Sequence, residues 1–250
     1  MTMTTIDLTT RDGQCRASVF RPHEGQGPWP AVVFCMDGLG YRATLFEMAE
    51  RLAGHGYVVI LPDLFHRAGP YEPDQVRAQV FNAETRPQWR ERYYDPATKL
   101  ESVRADIGAA LDFLAAQPDV AQPKVGTTGY CMGGRISLMA AGCFPDRVAA
   151  AASFHGGMLA ADDPGSPHAL APQMKARVYV AAATDDSEAM QQQLDEALTK
   201  AGVEHEMETY PARHGFAVPD VSAFDAAAAE RHWTKMVELF DRALKVKGAR

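Results

Sequence analysis

The chain has 250 residues, 46% of them hydrophobic and 23% charged, with 20 glycines and 16 prolines. This composition excludes disorder and fibrous repeats. A net charge of −7, from 25 basic and 32 acidic side chains with no long lysine or arginine run, argues against a nucleic-acid partner. Apolar stretches such as Ala31 to Met36 and Val148 to Phe154 fall far short of the roughly 18 residues of a membrane-spanning helix. Met1 to Thr10 lacks the basic start and apolar block of a signal peptide, so a cytoplasmic protein with no membrane association is expected.

Ile6 to Leu8 and Arg16 to Phe20 flank the turn signal Arg11-Asp12-Gly13, which predicts an antiparallel hairpin at a sheet edge. From Ala31 onward strand and helix patterns alternate, the signature of an α/β architecture with a mostly parallel sheet and helices on both faces. Ala31 to Met36 reads as a buried strand, Leu45 to Leu52 as a helix and Tyr57 to Leu61 as the next strand. Phe65 to Thr98, rich in Pro, Arg and Tyr and without a clean period, is expected to be a lid-like excursion or an irregular connection, with one short helix near Gln75 to Ala83. Leu100, Val103, Ile107, Leu111 and Leu114 recur at spacings of three or four, one stripe of an amphipathic helix.

Further along, strands are predicted at Lys124 to Thr128, Arg147 to Phe154, Arg177 to Ala182 and Glu206 to Tyr210. Helices are predicted at Arg135 to Ala141 and Glu188 to Lys200. A closing helix over Phe224 to Leu244 carries Trp233, Val237, Phe240 and Leu244 along one stripe. No linker or repeat interrupts this series, so residues 1–250 are read as one domain.

Four cysteines, Cys15, Cys35, Cys131 and Cys143, are too few and too irregularly spaced for a disulfide framework and are expected to be reduced thiols. The chain contains neither a phosphate-binding Gly-x-x-x-x-Gly-Lys loop, nor a Gly-x-Gly-x-x-Gly turn, nor a His-Glu-x-x-His helix, so neither a metal nor another cofactor is expected. What remains is the run Gly129-Tyr130-Cys131-Met132-Gly133-Gly134, placed where a predicted strand passes into a predicted helix. It resembles the nucleophile elbow of the α/β-hydrolases with cysteine in place of serine. A Gly-x-Cys-x-Gly pattern is expected by chance only about 0.025 times in a chain of this composition. Most free cysteines are small buried hydrophobes. A catalytic one needs a base or a helix amino terminus to supply thiolate, and this position offers the helix end.

In α/β-hydrolases the partners follow in the order nucleophile, acid, histidine. After the strand Arg177 to Ala182 comes Thr184-Asp185-Asp186-Ser187, and after the last strand comes Arg213-His214-Gly215-Phe216. Position and order favour His214 as base and one of the two aspartates as the group that orients it. Read alone, an acidic pair after a strand is a turn or helix cap, and a lone histidine is a polar surface residue.

Cys131 in its elbow, Met36-Asp37-Gly38-Leu39-Gly40, Gly56 to Leu64 and His214-Gly215-Phe216 together resemble the dienelactone hydrolases (carboxymethylenebutenolidases) over about residues 30 to 240. That resemblance implies an α/β-hydrolase fold and a Cys-Asp-His triad of Cys131, Asp186 and His214, with Asp185 a close alternative to Asp186. It implies an oxyanion hole from the amides of Met132 and Gly38, and a small lactone or ester as substrate. It also places Asp37 where the family carries a thiol-activating glutamate, one methylene longer. The family's substrate-binding arginine four positions beyond the histidine is here Val218. Arg67, Arg213 or an arginine between Arg86 and Arg92 would then have to hold an anionic substrate. His155-Gly156-Gly157 is either part of the pocket lining or a glycine turn at a strand end. The expected activity is thus cysteine-dependent hydrolysis through a thioester, by a monomer or homodimer. Its rivals are a small-molecule-binding protein on a retired hydrolase fold, and a thiol redox or acyl-carrier role that the missing Cys-x-x-Cys pair disfavours.

Overall fold

Ala31–Cys35, Val58–Pro62, Val125–Tyr130 and Val148–Phe154 are buried along almost their whole length, as strands covered by helices on both faces must be. They form the middle of an eight-stranded sheet in the computed structural model, which describes residues 2–121 and 124–245. Of the 1–250 range read as one domain, Met1, Gln122, Pro123 and residues 246–250 lie outside the described residues. In chain order the strands are β1 (Thr2–Thr10), β2 (Gly13–Arg21), β3 (Ala31–Cys35), β4 (Val58–Pro62), β5 (Val125–Tyr130), β6 (Val148–Phe154), β7 (Arg177–Ala182) and β8 (His205–Thr209). Their spatial order is β1-β2-β4-β3-β5-β6-β7-β8, with the pairs β1–β2 and β2–β4 antiparallel and all the others parallel. The hairpin read at Arg11-Asp12-Gly13 is present, with Thr10 opposite Gly13. This is the α/β-hydrolase fold.

The helices are α1 (Ala43–Gly54), α2 (Pro73–Phe81), α3 (Arg86–Trp89), α4 (Asp95–Thr98), α5 (Leu100–Ala115), α6 (Met132–Cys143), α7 (Pro167–Leu170), α8 (Glu188–Ala201) and α9 (Ala226–Leu244). The step β3–α1–β4 runs one way along the sheet and β5–α6–β6 the other, so right-handed crossovers put α1 and α6 on opposite faces. The chain therefore changes direction between β3 and β5. Crevices at the carboxyl ends of strands flanking such a switch are where open α/β sheets bind ligands. On the α1 face, α9 joins α1 through Arg51, which pairs with Glu230 and lies 4.6 Å over the Trp233 ring. The inner stripe of α9 is Trp233, Met236 and Phe240. Val237 and Leu244 of the predicted stripe sit at its half-buried margin.

The excursion after β4 is more helical than its composition suggests. Between α3 and α4 the chain makes a π-helical turn over Arg90–Tyr94, and α2, α3 and α4 each carry proline in the first turn. In α2 and α3 proline there sacrifices no helical hydrogen bond, so what reads as a breaker is a start signal, whereas Pro96 of α4 follows the π-helical turn within a continuous helical run. Val76, Trp89, Tyr93, Tyr94 and Ala97 turn inward. Trp89 Nε1 donates to the Gly38 carbonyl at 3.0 Å, fixing the excursion onto the loop after β3.

Two glycines make the corner between β5 and α6 possible. A Cβ on Gly129 would lie 2.1 Å from the Gly133 carbonyl oxygen, and one on Gly133 would lie 2.2 Å from the Cys35 carbonyl oxygen at the end of β3. All of these obstacles are backbone atoms. Gly133→Ala is therefore expected to destabilise the fold by about 1–3 kcal/mol, measured by urea unfolding. A midpoint equal to that of the unmodified chain would show that the corner has slack.

Candidate active site

Cys131 is the residue between β5 and α6, with φ 54° and ψ −114°, a left-handed backbone that few non-glycine residues adopt. Its amide donates to the Phe154 carbonyl at 3.1 Å and its carbonyl accepts from Gly134 at 3.1 Å, so both ends of the strained residue are tied down. The half-buried side chain stands at the amino end of α6, where the positive end of the helix dipole favours an anion. Met132, the first helical residue, presents an amide with no partner one turn back.

His214 lies in the loop after β8. Its Nδ1 is 2.6 Å from Asp186 Oδ1, which leaves Nε2 as the nitrogen free to serve the cavity that the ring shares with Cys131. Burial opposes charge on this ring. The interactions with Cys131 and Asp186 outweigh it and raise the His214 pKa to about 11. Asp186 Oδ2 also accepts the Ala183 amide at 2.7 Å, which pins the carboxylate to the end of β7. Asp185 plays another part: its carboxylate accepts the backbone amide of His214 at 2.6 Å and meets Arg213 at 3.4 Å. Of the two aspartates, Asp186 holds the ring and Asp185 the loop.

Asp37 and Gly38 follow β3, beside the elbow. Asp37 accepts the Leu39 amide at 2.9 Å, and both its oxygens are taken by Arg42, at 2.6 and 2.9 Å. The same guanidinium reaches Asp220, beyond the histidine loop, at 2.7 and 2.9 Å, and Arg77 of α2 also binds Asp220. Arg42 is buried, so one cation joins the loop after β3, the segment after His214 and, through Asp220, the excursion. The Asp37 carboxylate is thus committed to Arg42 and Leu39. Arg42 and Asp220 were not among the residues singled out in the sequence. Nothing in their spacing announces a contact between positions 178 residues apart.

These groups line a cavity of about 110 Å³ with Leu39, Val80, Phe81, Trp89, His155, Val218 and Val221. Neither lysine nor arginine is among the lining residues. Arg67 is taken by Asp12 and Asp106, Arg213 by Asp185, and Arg90 by Asp95. Arg86 donates to the Val80 carbonyl and Arg92 to that of Ala68. Trp89, Val80 and Phe81 come from the excursion, where no period marked an inward face. Among the described residues no cluster of three His, Cys, Asp or Glu side chains could hold a metal ion, and no helix is long and apolar enough to cross a membrane.

Residues 15–244 match the model of the dienelactone hydrolase family. A Rhodococcus opacus carboxymethylenebutenolidase is 27% identical over 239 residues, covering 89% of this chain and 85% of that one. Among solved structures, a dienelactone hydrolase-like promiscuous phosphotriesterase from metagenomic libraries aligns with TM-score 0.76 at 26% identity, over 98% of this chain and all of that one. The dienelactone hydrolase of Anabaena variabilis aligns with TM-score 0.69 at 19% identity, over 98% and 99% of the two chains.

The raised pKa of His214 has a consequence for stability. An unfolded histidine loses its proton near pH 6.5, whereas the folded ring keeps it to about 11. The stabilisation is complete below the lower value and is lost as pH rises through the higher one. The stability gap between the unmodified chain and His214→Gln is therefore expected to narrow from about pH 7 to about pH 10 in matched urea titrations. A gap that widens over that range contradicts the charged ring.

Proposed function

As a member of the dienelactone hydrolase family this chain is a carboxylic ester or lactone hydrolase, and we propose that it works through a thioester on Cys131. The observation that carries this reading is that Asp186 holds the His214 ring in the same cavity as the Cys131 side chain, at the switch point of the sheet. The sulfur attacks the substrate carbonyl and forms a C–S bond. The resulting oxyanion is held by the amides of Met132 and Gly38, both backbone donors set by the corner and the loop after β3. Collapse of the intermediate breaks the C–O bond, and His214 delivers its proton to the departing oxygen. Water, deprotonated by His214, then cleaves the thioester and returns the thiolate and the imidazolium. Asp186 keeps the ring in the orientation both halves need.

Asp37 is assigned a different part from the thiol-activating carboxylate of the family pattern. With both oxygens committed to Arg42 and one also to the Leu39 amide, it supports the turn that aims the Gly38 amide, and His214 alone serves the thiol. The substrate is assigned as uncharged. A largely apolar cavity without lysine or arginine in its lining, with Val218 four positions beyond His214, desolvates a carboxylate without offering it a guanidinium or ammonium partner. An enol lactone or activated ester fits better than an amide, because its leaving group departs more readily.

Steady-state hydrolysis of 4-nitrophenyl acetate and of a neutral enol lactone tests the mechanism. Cys131→Ala is expected to lower kcat/KM by at least about 10³-fold on both, with the unfolding midpoint little changed. Activity retained in that variant refutes the thioester route, and binding of the lactone without turnover by the unmodified chain favours a receptor on the same fold.

A further inference from the structure

His155 ends the β6 segment with φ 40°, next to the elbow, since Cys131 donates its amide to the preceding residue, Phe154. Its ring is buried in the wall of the cavity that holds Cys131 and His214, edge-on to His214 at 5.0 Å and to Phe216 at 4.9 Å between centroids. Neither ring nitrogen has a hydrogen-bond partner among the described residues. The contrast with His232 is direct. That ring is equally buried, yet its Nε2 meets the Tyr130 hydroxyl at 3.0 Å and its Nδ1 meets the Ala229 carbonyl.

A buried imidazole without partners carries the desolvation of two nitrogens, and phenylalanine would fill the same aromatic slot without it. Structural histidines are paired, as His232 is, so the nitrogens of His155 call for a ligand rather than a packing role. A left-handed non-glycine residue kept at the carboxyl end of a central strand agrees with this, because strain of that kind collects where ligands bind. Burial, the charge on His214 and then His232 hold the His155 pKa well below its ordinary value, so the ring stays neutral beside the imidazolium. A neutral ring offers one N–H and one lone pair, and no charge.

Resting on the hydrolase reading above, we propose that His155 is a specificity-determining residue that hydrogen-bonds an uncharged oxygen of the substrate other than the carbonyl under attack. Beyond Asp37, which is committed to Arg42, and the reacting Cys131 and His214, it is the polar side chain of a cavity otherwise walled by Leu39, Trp89, Val218 and Val221. The substrate class that follows is a lactone or ester carrying a second neutral acceptor, such as a keto, ester or ether oxygen, in its acyl part.

Two 4-nitrophenyl esters of similar length separate the possibilities: the pentanoate, with an apolar acyl chain, and the mixed ester of monomethyl succinate, with a second carbonyl. Each rate is normalised to its uncatalysed hydrolysis. The unmodified chain is expected to favour the succinate ester by about tenfold in kcat/KM, the worth of one hydrogen bond. His155→Phe is expected to abolish that preference, the ratio of the two kcat/KM values falling to about one. Should the phenylalanine variant not fold, His155→Asn, which tolerates the same backbone but has a shorter side chain, is read by the same criterion. No preference in the unmodified chain overturns the inference whatever the variants do, and so does an equal loss on both esters. No turnover of either ester overturns the hydrolase reading as well.

Discussion

Everything at this site depends on how closely the corner after β5 can approach the end of β3. Glycine at 129 removes a side chain that would strike the Gly133 backbone, and glycine at 133 removes one that would strike the Cys35 and Met36 carbonyls. That approach does three things at once. It holds Cys131 in its left-handed conformation, starts α6 immediately behind the sulfur, and sets the Met132 amide beside the loop that carries Gly38. Strand order puts this corner where the sheet reverses direction, so the loops after β3, β5, β7 and β8 all deliver residues to one edge. The chemistry is thus assembled from backbone geometry first and side chains second.

A second constraint keeps the loops in register. Arg42 binds Asp37 on one side and Asp220 on the other, and Arg77 of the excursion binds Asp220 too. Taking one buried partner away from such a set leaves an uncompensated charge, which is far costlier than losing an exposed pair. The arrangement gives Arg42 the part of a clamp on the loop after β3, and explains why a carboxylate at position 37 is of use even though it is committed to a guanidinium. It also ties the covering segment to the same centre. Trp89 adds a second tie through the Gly38 carbonyl.

Much of this was legible in the sequence, and the pattern of what was not is physical. Strands buried on both faces announce themselves as short apolar runs, so β3 through β7 fall within a residue or two of their expected places. The elbow was legible because steric crowding leaves so few residues free to vary: Gly-x-Cys-x-Gly is written by the backbone. Asp186 and His214 could be placed by their order after strands, but the split of labour between Asp185 and Asp186 could not. It turns on which of two adjacent carboxylates faces a ring 28 residues away. Of the helices in the excursion only α2 was expected, near Gln75 to Ala83; α3 and α4 were not, and with them the cavity residue Trp89 went unseen. Arg42 and Asp220 were invisible because a long-range ion pair leaves no local pattern.

The central claim is that His214 activates the sulfur at the corner. It is tested most directly by the rate at which iodoacetamide alkylates Cys131 at pH 7, followed by peptide mass spectrometry, in the unmodified chain and in His214→Gln. Thiolate rather than thiol is the nucleophile, so the account predicts alkylation at least about tenfold slower in the variant, with Cys15, Cys35 and Cys143 slow in both. Equal rates at Cys131 in the two proteins would contradict it.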